Sequence, residues 1–339
     1  GEMIHAFADA TVPKVNVVIG KAYGTAYVAM NSKSVGADLV YAWDNAEIGM
    51  MDASLAAKIM YPGGQAVNFA VYARMLGAES DFMGVFGKDA VADHVQASLD
   101  AHGVGHSHCR IYEGENGFAR VTLVDGDRVF KGSNKGGVLQ QHPIYLEKED
   151  LEYADGFNLI HTTNNGFTDG LLPALHGLSP LVSYDFSYRW NEEDRVERVC
   201  PYIDFAFLSC SDLNDEETEK LCRKLYEKGC SVVTATRGSK GATVFDGERF
   251  YCQLPDYVTP VDTMGAGDSF ATAMLITILK KLETQPEGSW KNSEIRAEIL
   301  PEALKAAAVF SAGTCLKNGA FGDGVPVPKS EHDRIYREL

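Results

Sequence analysis

The chain has 339 residues, 45% hydrophobic and 23% charged, the mixture of a globular protein with a substantial core. Its formal net charge of −16 argues against a nucleic-acid partner, because phosphate-backbone binding depends on clustered Lys and Arg. No apolar run reaches the roughly 18 residues that cross a bilayer, and the opening GEMIHAFADA has no basic region followed by an apolar block. Seven cysteines, an odd number without a CxxC pair, favour free thiols over disulfides or zinc. No membrane partner is expected, and the expected location is the cytoplasm.

The first 60 residues read as α/β, with ADLVYAW (37–43) a β-prone run ending at Asp44-Asn45. Beyond them, helices alternate with short β-rich runs. GQAVNFAVYARMLG (64–77) and KDAVADHVQASLDAHG (88–103) carry apolar residues at helical spacing, and each ends at a glycine suited to a left-handed cap. HSHC (106–109) has zinc-ligating residue types, but no second ligand cluster follows, so a half-buried strand is expected there. FARVTLVDGDRVF (118–130) alternates apolar and polar positions around Asp125-Gly126, the pattern of a hairpin that forms a lid or a dimer contact.

FNLIHTT (157–163), LVSYDFS (181–187), DFAFLSC (204–210) and SVVTATRG (231–238) read as buried strands, and DEETEKLCRKLYEKG (215–229) as a strongly amphipathic helix. Strands alternating with helices imply parallel crossovers and a sheet covered on both faces. His161, at the end of an apolar run, is expected as a core or pocket-edge histidine. The loop ETQPEGSWKNSE (283–294) separates the last two helices, SFATAMLITILKKL (269–282) and PEALKAAAVFSAGTCL (301–316).

Neither GxxxxGK[ST] nor GxGxxG occurs. The glycine-rich joint in VDTMGAGDSF (261–270) follows a β-prone run, YVTPVDT, and opens a helix. Backbone N–H groups of Gly265, Ala266 and Gly267 can surround an anion there. Asp268 falls in the first turn, where the helix dipole favours an ionised carboxylate. Such a group can accept a proton from a hydroxyl that attacks a phosphoryl group. A plain helix cap by Asp268 or Ser269 explains the same letters.

DTMGAGDSF resembles the C-terminal signature of the ribokinase-type (PfkB) sugar kinases, and YPGGQAVNFAVYARMLG…GVFGKD their N-terminal one. GGQAVNFAVYA, DGDRVF, SYDFSYRW and YIDFAFLS resemble the fructoselysine kinases within that family. The resemblance spans residues 61–325. It implies a ribokinase-like three-layer αβα sandwich with a mostly parallel central sheet and a small β lid. It also implies ATP and Mg2+ as cofactors, and phosphorylation of a primary hydroxyl of a small-molecule sugar. The 6-hydroxyl of fructoselysine or a related fructosamine leads, with another ketose or a nucleoside as alternatives.

Carried onto this chain, the resemblance makes Asp268 the catalytic base and Gly265, Ala266 and Gly267 the anion hole. Gly63, Gly64 and Asn68 match positions that close on the sugar. TRGSKGA matches a T-x-G-x-x-G nucleotide loop, giving Thr236, Gly238 and Gly241. Asp185 ends a strand where such sheets present ligand-facing residues. Asn214 and Glu217 match an N-x-x-E pattern that helps organise magnesium, although an acidic helix start has the same letters.

The family's first strand and its Gly-Asp turn have no convincing counterpart. Residues 4–61 instead resemble a segment of the carboxyltransferase subunit of biotin-dependent acyl-CoA carboxylases and decarboxylases. There the turn matching Tyr23-Gly24-Thr25 offers N–H groups to a thioester oxyanion. The chain therefore reads as a chimera, a crotonase-like α/β fragment over 1–60 and a kinase domain over 61–339. Either 37–43 stands in for the missing strand and Asp44 for its sugar-binding carboxylate, or the segment is an unrelated graft. A catalytically impaired sugar- or nucleotide-binding chimera, and a carboxyltransferase fragment fused to a passenger, remain as rivals. A homodimer is compatible with each.

Overall fold

In a computed structural model, which describes residues 2–44, 46–49, 59–124, 127–286 and 288–335, the four buried runs lie side by side as strands. They are β1 (Leu159–Thr163), β2 (Leu181–Ser187), β3 (Phe205–Ser209) and β4 (Val232–Thr236), all parallel. Two antiparallel strands, β5 (Ala242–Phe245) and β6 (Phe250–Gln253), extend the sheet to six strands in chain order. Their hairpin turns at Asp246-Gly247. The buried Asp246 carboxylate accepts the Glu248 and Arg249 N–H groups at 2.9 and 2.7 Å.

Alternation along each strand sends side chains to two separate cores. Phe205 and Phe207 pack on one face against α4 (Ala266–Leu282) and α5 (Ser293–Thr314). Ala206 and Leu208 point to the other, against α3 (Asp215–Glu227) and the helices Leu172–His176 and Glu193–Val199. Full burial of each large apolar side chain is worth about 1.5–3 kcal/mol, which makes the double covering the main source of stability. A third cluster joins α1 (Gln65–Met75) and α2 (Ala90–Ala101) to Ala320 and Phe321. The glycines after these two helices, Gly77 and Gly103, have the expected left-handed φ of 82° and 68°.

Several boundaries differ from expectation. α4 begins at Ala266, so Ala266 and Gly267 lie inside the helix rather than before it. α5 begins at Ser293 and runs through Pro301, because Asn292 caps it by accepting the Glu294 N–H at 2.9 Å. The run 257–263 joins no sheet; Pro260 has no N–H to give, and the Val261 N–H goes to the Cys315 carbonyl at 2.8 Å. HSHC forms a turn rather than a strand. His108 Nδ1 lies 2.9 Å from Asp150, and no metal-binding group of His, Cys, Asp or Glu occurs among the described residues. Strands Ala119–Val124 and Asp127–Ser133 pair as the expected hairpin, whose turn, Asp125-Gly126, lies outside the described residues.

The chain divides into two units, Gly1–Met60 and Tyr61–Leu339. In the first, Val15–Val18 pairs in parallel with Leu39–Ala42, and Lys21–Tyr23 with Glu47–Gly49, each as a separate two-stranded sheet. The Asp38 carboxylate accepts the Lys14 N–H at 2.6 Å and fixes the first register. The expected strand at 37–43 therefore forms, with Val15–Val18 as its partner. Among the described residues no helix is long and apolar enough to cross a membrane.

Candidate active site

The glycine joint is built from both ends. Gly265 has φ +74° and precedes α4; a Cβ there would overlap the Tyr72 hydroxyl and Ala320. That hydroxyl donates to the Ala320 carbonyl at 2.6 Å. Asp262, almost fully buried, accepts the Met264 N–H at 3.0 Å with one oxygen and the Gly319 N–H at 2.8 Å with the other. The turn is thus stitched to the chain that follows α5.

Gly267 is different, since among the described residues nothing outside its own helix lies within 4 Å of where its Cβ would be. Among the described residues the Gly265 and Gly267 N–H groups meet no protein acceptor, whereas Ala266 donates to the Thr263 carbonyl at 3.2 Å. Of the three expected anion-binding amides, two are therefore available as they stand.

Asp268 occupies the first turn of α4, half-buried, and its Oδ2 accepts a 2.6 Å hydrogen bond from Asn68 Nδ2. Burial pushes its pKa up to about 7; the nearby Asp185 charge adds to the rise, and the Asn68 bond opposes it. The helix dipole was expected to hold this carboxylate ionised, but desolvation and a like charge outweigh it. Asn68 itself is buried on α1, with Oδ1 unpartnered, and the absent Gly63 side chain leaves room beside that oxygen. Gly64, with φ +105°, starts α1 in a conformation that L residues avoid.

Asp185, 7% exposed, lies near the carboxyl end of β2. A bulge there turns Ser187 to φ +52°, and the Ser187 N–H reaches Asp185 Oδ1 at 2.6 Å. Asp185 Oδ2 accepts from Gln65 Nε2 at 3.2 Å, and Gln65 Oε1 accepts from Asn165 Nδ2 at 2.8 Å. Burial raises the Asp185 pKa to about 6. Asn164, whose N–H donates to the Asp185 carbonyl at 2.9 Å, buries a side-chain amide with neither atom partnered. His161 stacks on Phe69 with centroids 3.9 Å apart, and burial lowers its pKa to about 3, so it is a neutral packing residue.

Thr236, Gly238 and Gly241 form the β4–β5 turn, at the same carboxyl edge of the parallel strands as Asp185. Thr236 Oγ1 donates to the Leu208 carbonyl at 3.1 Å, and the Arg237 N–H to Gly241 at 2.8 Å. A side chain on Gly241 would overlap the Gln253 carbonyl. Asn214 and Glu217 cap α3: Asn214 Oδ1 accepts the Glu217 N–H at 3.0 Å, and Glu217 Oε2 accepts the Asn214 N–H at 2.9 Å. The capping bonds engage Asn214 Oδ1 and Glu217 Oε2 and leave Glu217 Oε1 outside the cap, so the pair could offer Mg2+ only part of the octahedral oxygen array it needs. Asp44 is exposed just beyond strand Leu39–Ala42 of the first unit. In that unit Tyr23 ends a strand and Gly24-Thr25 opens the helix Gly24–Ala29.

The structure thus brings Asn68, Asp268 and Asp185 together with Gln65, Asn164 and Asn165, and it adds Asp262 behind the glycine joint. Those four residues were not singled out from sequence, although Gln65 stands one helical turn before Asn68 and Asn164-Asn165 directly follow β1.

Similar architecture occurs in ribokinase from Giardia lamblia, with a TM-score of 0.65 at 16% identity over 80% of this chain and 88% of that one. Arabidopsis thaliana ribokinase complexed with ribose and ATP gives 0.64 at 18% identity over 97% and 100%. The fold is ribokinase-like. The family described as pfkB family carbohydrate kinase matches residues 34–326, and the chain belongs to it. Fructosamine kinase FrlD of Bacillus subtilis (strain 168) is 39% identical over 267 residues, 78% of this chain and 88% of that protein. Fructoselysine 6-kinase of Escherichia coli (strain K12) is 33% identical over 262 residues, 77% and 92%. A 60-residue segment is also 52% identical to the propionyl-CoA carboxylase beta chain of Rhodococcus erythropolis, 18% of this chain but 13% of that one.

Proposed function

We propose that this carbohydrate kinase transfers the γ-phosphoryl group of ATP to the 6-hydroxyl of fructoselysine or a related fructosamine. The observation that carries the reading is the 2.6 Å bond that aims the Asp268 carboxylate, whose pKa of about 7 suits proton transfer near neutrality. Asp268 takes the proton of the attacking hydroxyl, and the N–H groups at the start of α4 receive the transferring phosphoryl charge. Asn68 and Asp185 hold the sugar, and the β4–β5 turn holds the nucleotide. The nucleotide's phosphates would hold magnesium, which would supply neutralising charge to the transferring group. The hairpin Ala119–Val124/Asp127–Ser133, with Phe130 exposed, serves as a lid over the sugar.

The test is ADP release with fructoselysine, fructose, ribose and a nucleoside, and location of the phosphate on the product by phosphorus NMR. Fructoselysine 6-phosphate as the fastest product is expected; a faster nucleoside or unmodified ketose would replace the substrate assignment.

We further propose that residues 1–60 derive from a carboxyltransferase-type segment, supported by the 52% identity over 60 residues. Saturable acyl-CoA binding to the purified chain would show that the segment keeps the ligand of that family. Free cysteines throughout support a cytoplasmic location.

A further inference from the structure

Among the described residues the candidate site contains two carboxylates and no cation paired with them. Asp185 is held by neutral donors alone, the Gln65 amide and the Ser187 N–H, and Asp268 by the Asn68 amide. Among the described residues neither carboxylate forms an ion pair with Lys, Arg or His. A carboxylate 7% exposed without a counter-ion is costly to keep ionised, and proteins ordinarily supply a partner. Two of the roughly four lone-pair positions on Asp185 remain open. Asn164, whose backbone N–H donates to the Asp185 carbonyl at 2.9 Å, also buries a side-chain amide with neither atom partnered among the described residues, a polar group awaiting a donor and an acceptor.

Granted the fructosamine kinase activity proposed above, on which this rests, we propose that Asp185, oriented by Gln65, is the specificity residue that pairs with the substrate's secondary ammonium and so selects 1-amino-1-deoxyketoses over neutral ketoses. A neutral ketose brings hydroxyl groups to this site, and those can satisfy Asn164 without cancelling either charge. A fructosamine brings the same hydroxyls together with one cation, placed across the sugar ring from the hydroxyl that attacks. The Asp185 charge is one cause of the raised Asp268 pKa. A cation seated on Asp185 relieves that repulsion, and Asp268 then reaches the ionised form that accepts a proton. Substrate charge thereby completes the base.

The experiment compares kcat/KM for fructoselysine and for its isostere with an ether oxygen in place of the amine nitrogen, in the wild type and in Asp185→Asn. The wild type should prefer the amine by roughly 30- to 5,000-fold, the range for a buried charge pair, and the preference should collapse in the variant. A wild-type ratio near one overturns the proposal without recourse to any variant. An unchanged ratio in a folded Asp185→Asn protein overturns it as well, leaving Asp185 a hydroxyl ligand or a brace for β2. Absence of phosphorylation of any sugar would overturn both this assignment and the activity beneath it.

Discussion

Asn68 on α1 donates a 2.6 Å hydrogen bond to Asp268 on α4, a residue 200 positions further along the chain. The same carboxylate is partly desolvated and also feels the charge of Asp185, which together raise its pKa to about 7. One contact thus joins α1 to the start of α4, while burial, more than that contact, sets the pH at which the carboxylate ionises.

Asp268→Asn should lower turnover by roughly 10²- to 10⁴-fold, the contribution of a positioned general base, while ATP affinity stays near wild type. Near-normal turnover in a folded variant would reduce Asp268 to a helix-start residue.

In the wild type, kcat/KM should rise with pH through about 7, as Asp268 ionises in the free enzyme. Because the Asn68 bond pulls that pKa down, Asn68→Ala should move the acid limb to higher pH. Stability runs the other way. An unfolded carboxyl near 3.8 releases its proton first, so the stabilisation present at low pH is lost as pH rises through the folded value of about 7. Asp268→Asn should therefore melt above the wild type at pH 8, with the gap narrowing toward pH 5. An equal or lower melting temperature at pH 8 would contradict the buried, like-charged site.

Gly265 and Gly267 should separate folding from function. Gly265→Ala places a side chain against Tyr72 and Ala320 at φ +74° and should cost roughly 1–3 kcal/mol in denaturant unfolding. Gly267→Val meets open space in the protein and should fold normally, yet raise the KM for ATP and lower kcat by crowding the phosphoryl path. Unaltered kinetics in Gly267→Val would remove the anion-hole role.

Asn214→Ala should destabilise the protein by about 1 kcal/mol, the usual loss of an N-cap. Its dependence on Mg2+ concentration should match the wild type, because the Asn214 side chain is occupied in the capping box of α3. A rightward shift of the Mg2+ titration would restore the metal role to this residue.

Asp44→Ala should leave the sugar KM unchanged, since the Leu39–Ala42 strand finds its partner within residues 1–60. A clear rise in KM would make Asp44 the missing sugar carboxylate.

The sheet was legible because Val, Phe and Ile cluster in short runs with helices between them. LVSYDFS matches β2 residue for residue. The β5–β6 hairpin escaped notice although Asp246-Gly247 carries the same turn signal as Asp125-Gly126. In the site, Asp268 and the glycines were readable from local spacing. Gln65, which touches Asp185 across 120 residues, was not, because a single sequence holds no record of which distant side chains meet. Nor could spacing show that burial would overcome the helix dipole at Asp268. The dipole is a local property, whereas desolvation depends on everything packed around the group.

The six strands stand in the sheet in the order in which they occur along the chain. Each can dock on its chain neighbour through crossovers of roughly 17 to 22 residues or short turns, so loop closure costs less than for pairs remote in sequence. The Asn68–Asp268 pair closes a far longer loop, and we expect it to form after the intervening sheet. In refolding from denaturant, helical and sheet circular dichroism should therefore return before phosphorylating activity does, and the lag should shorten when sugar and nucleotide are present to hold the two helices together.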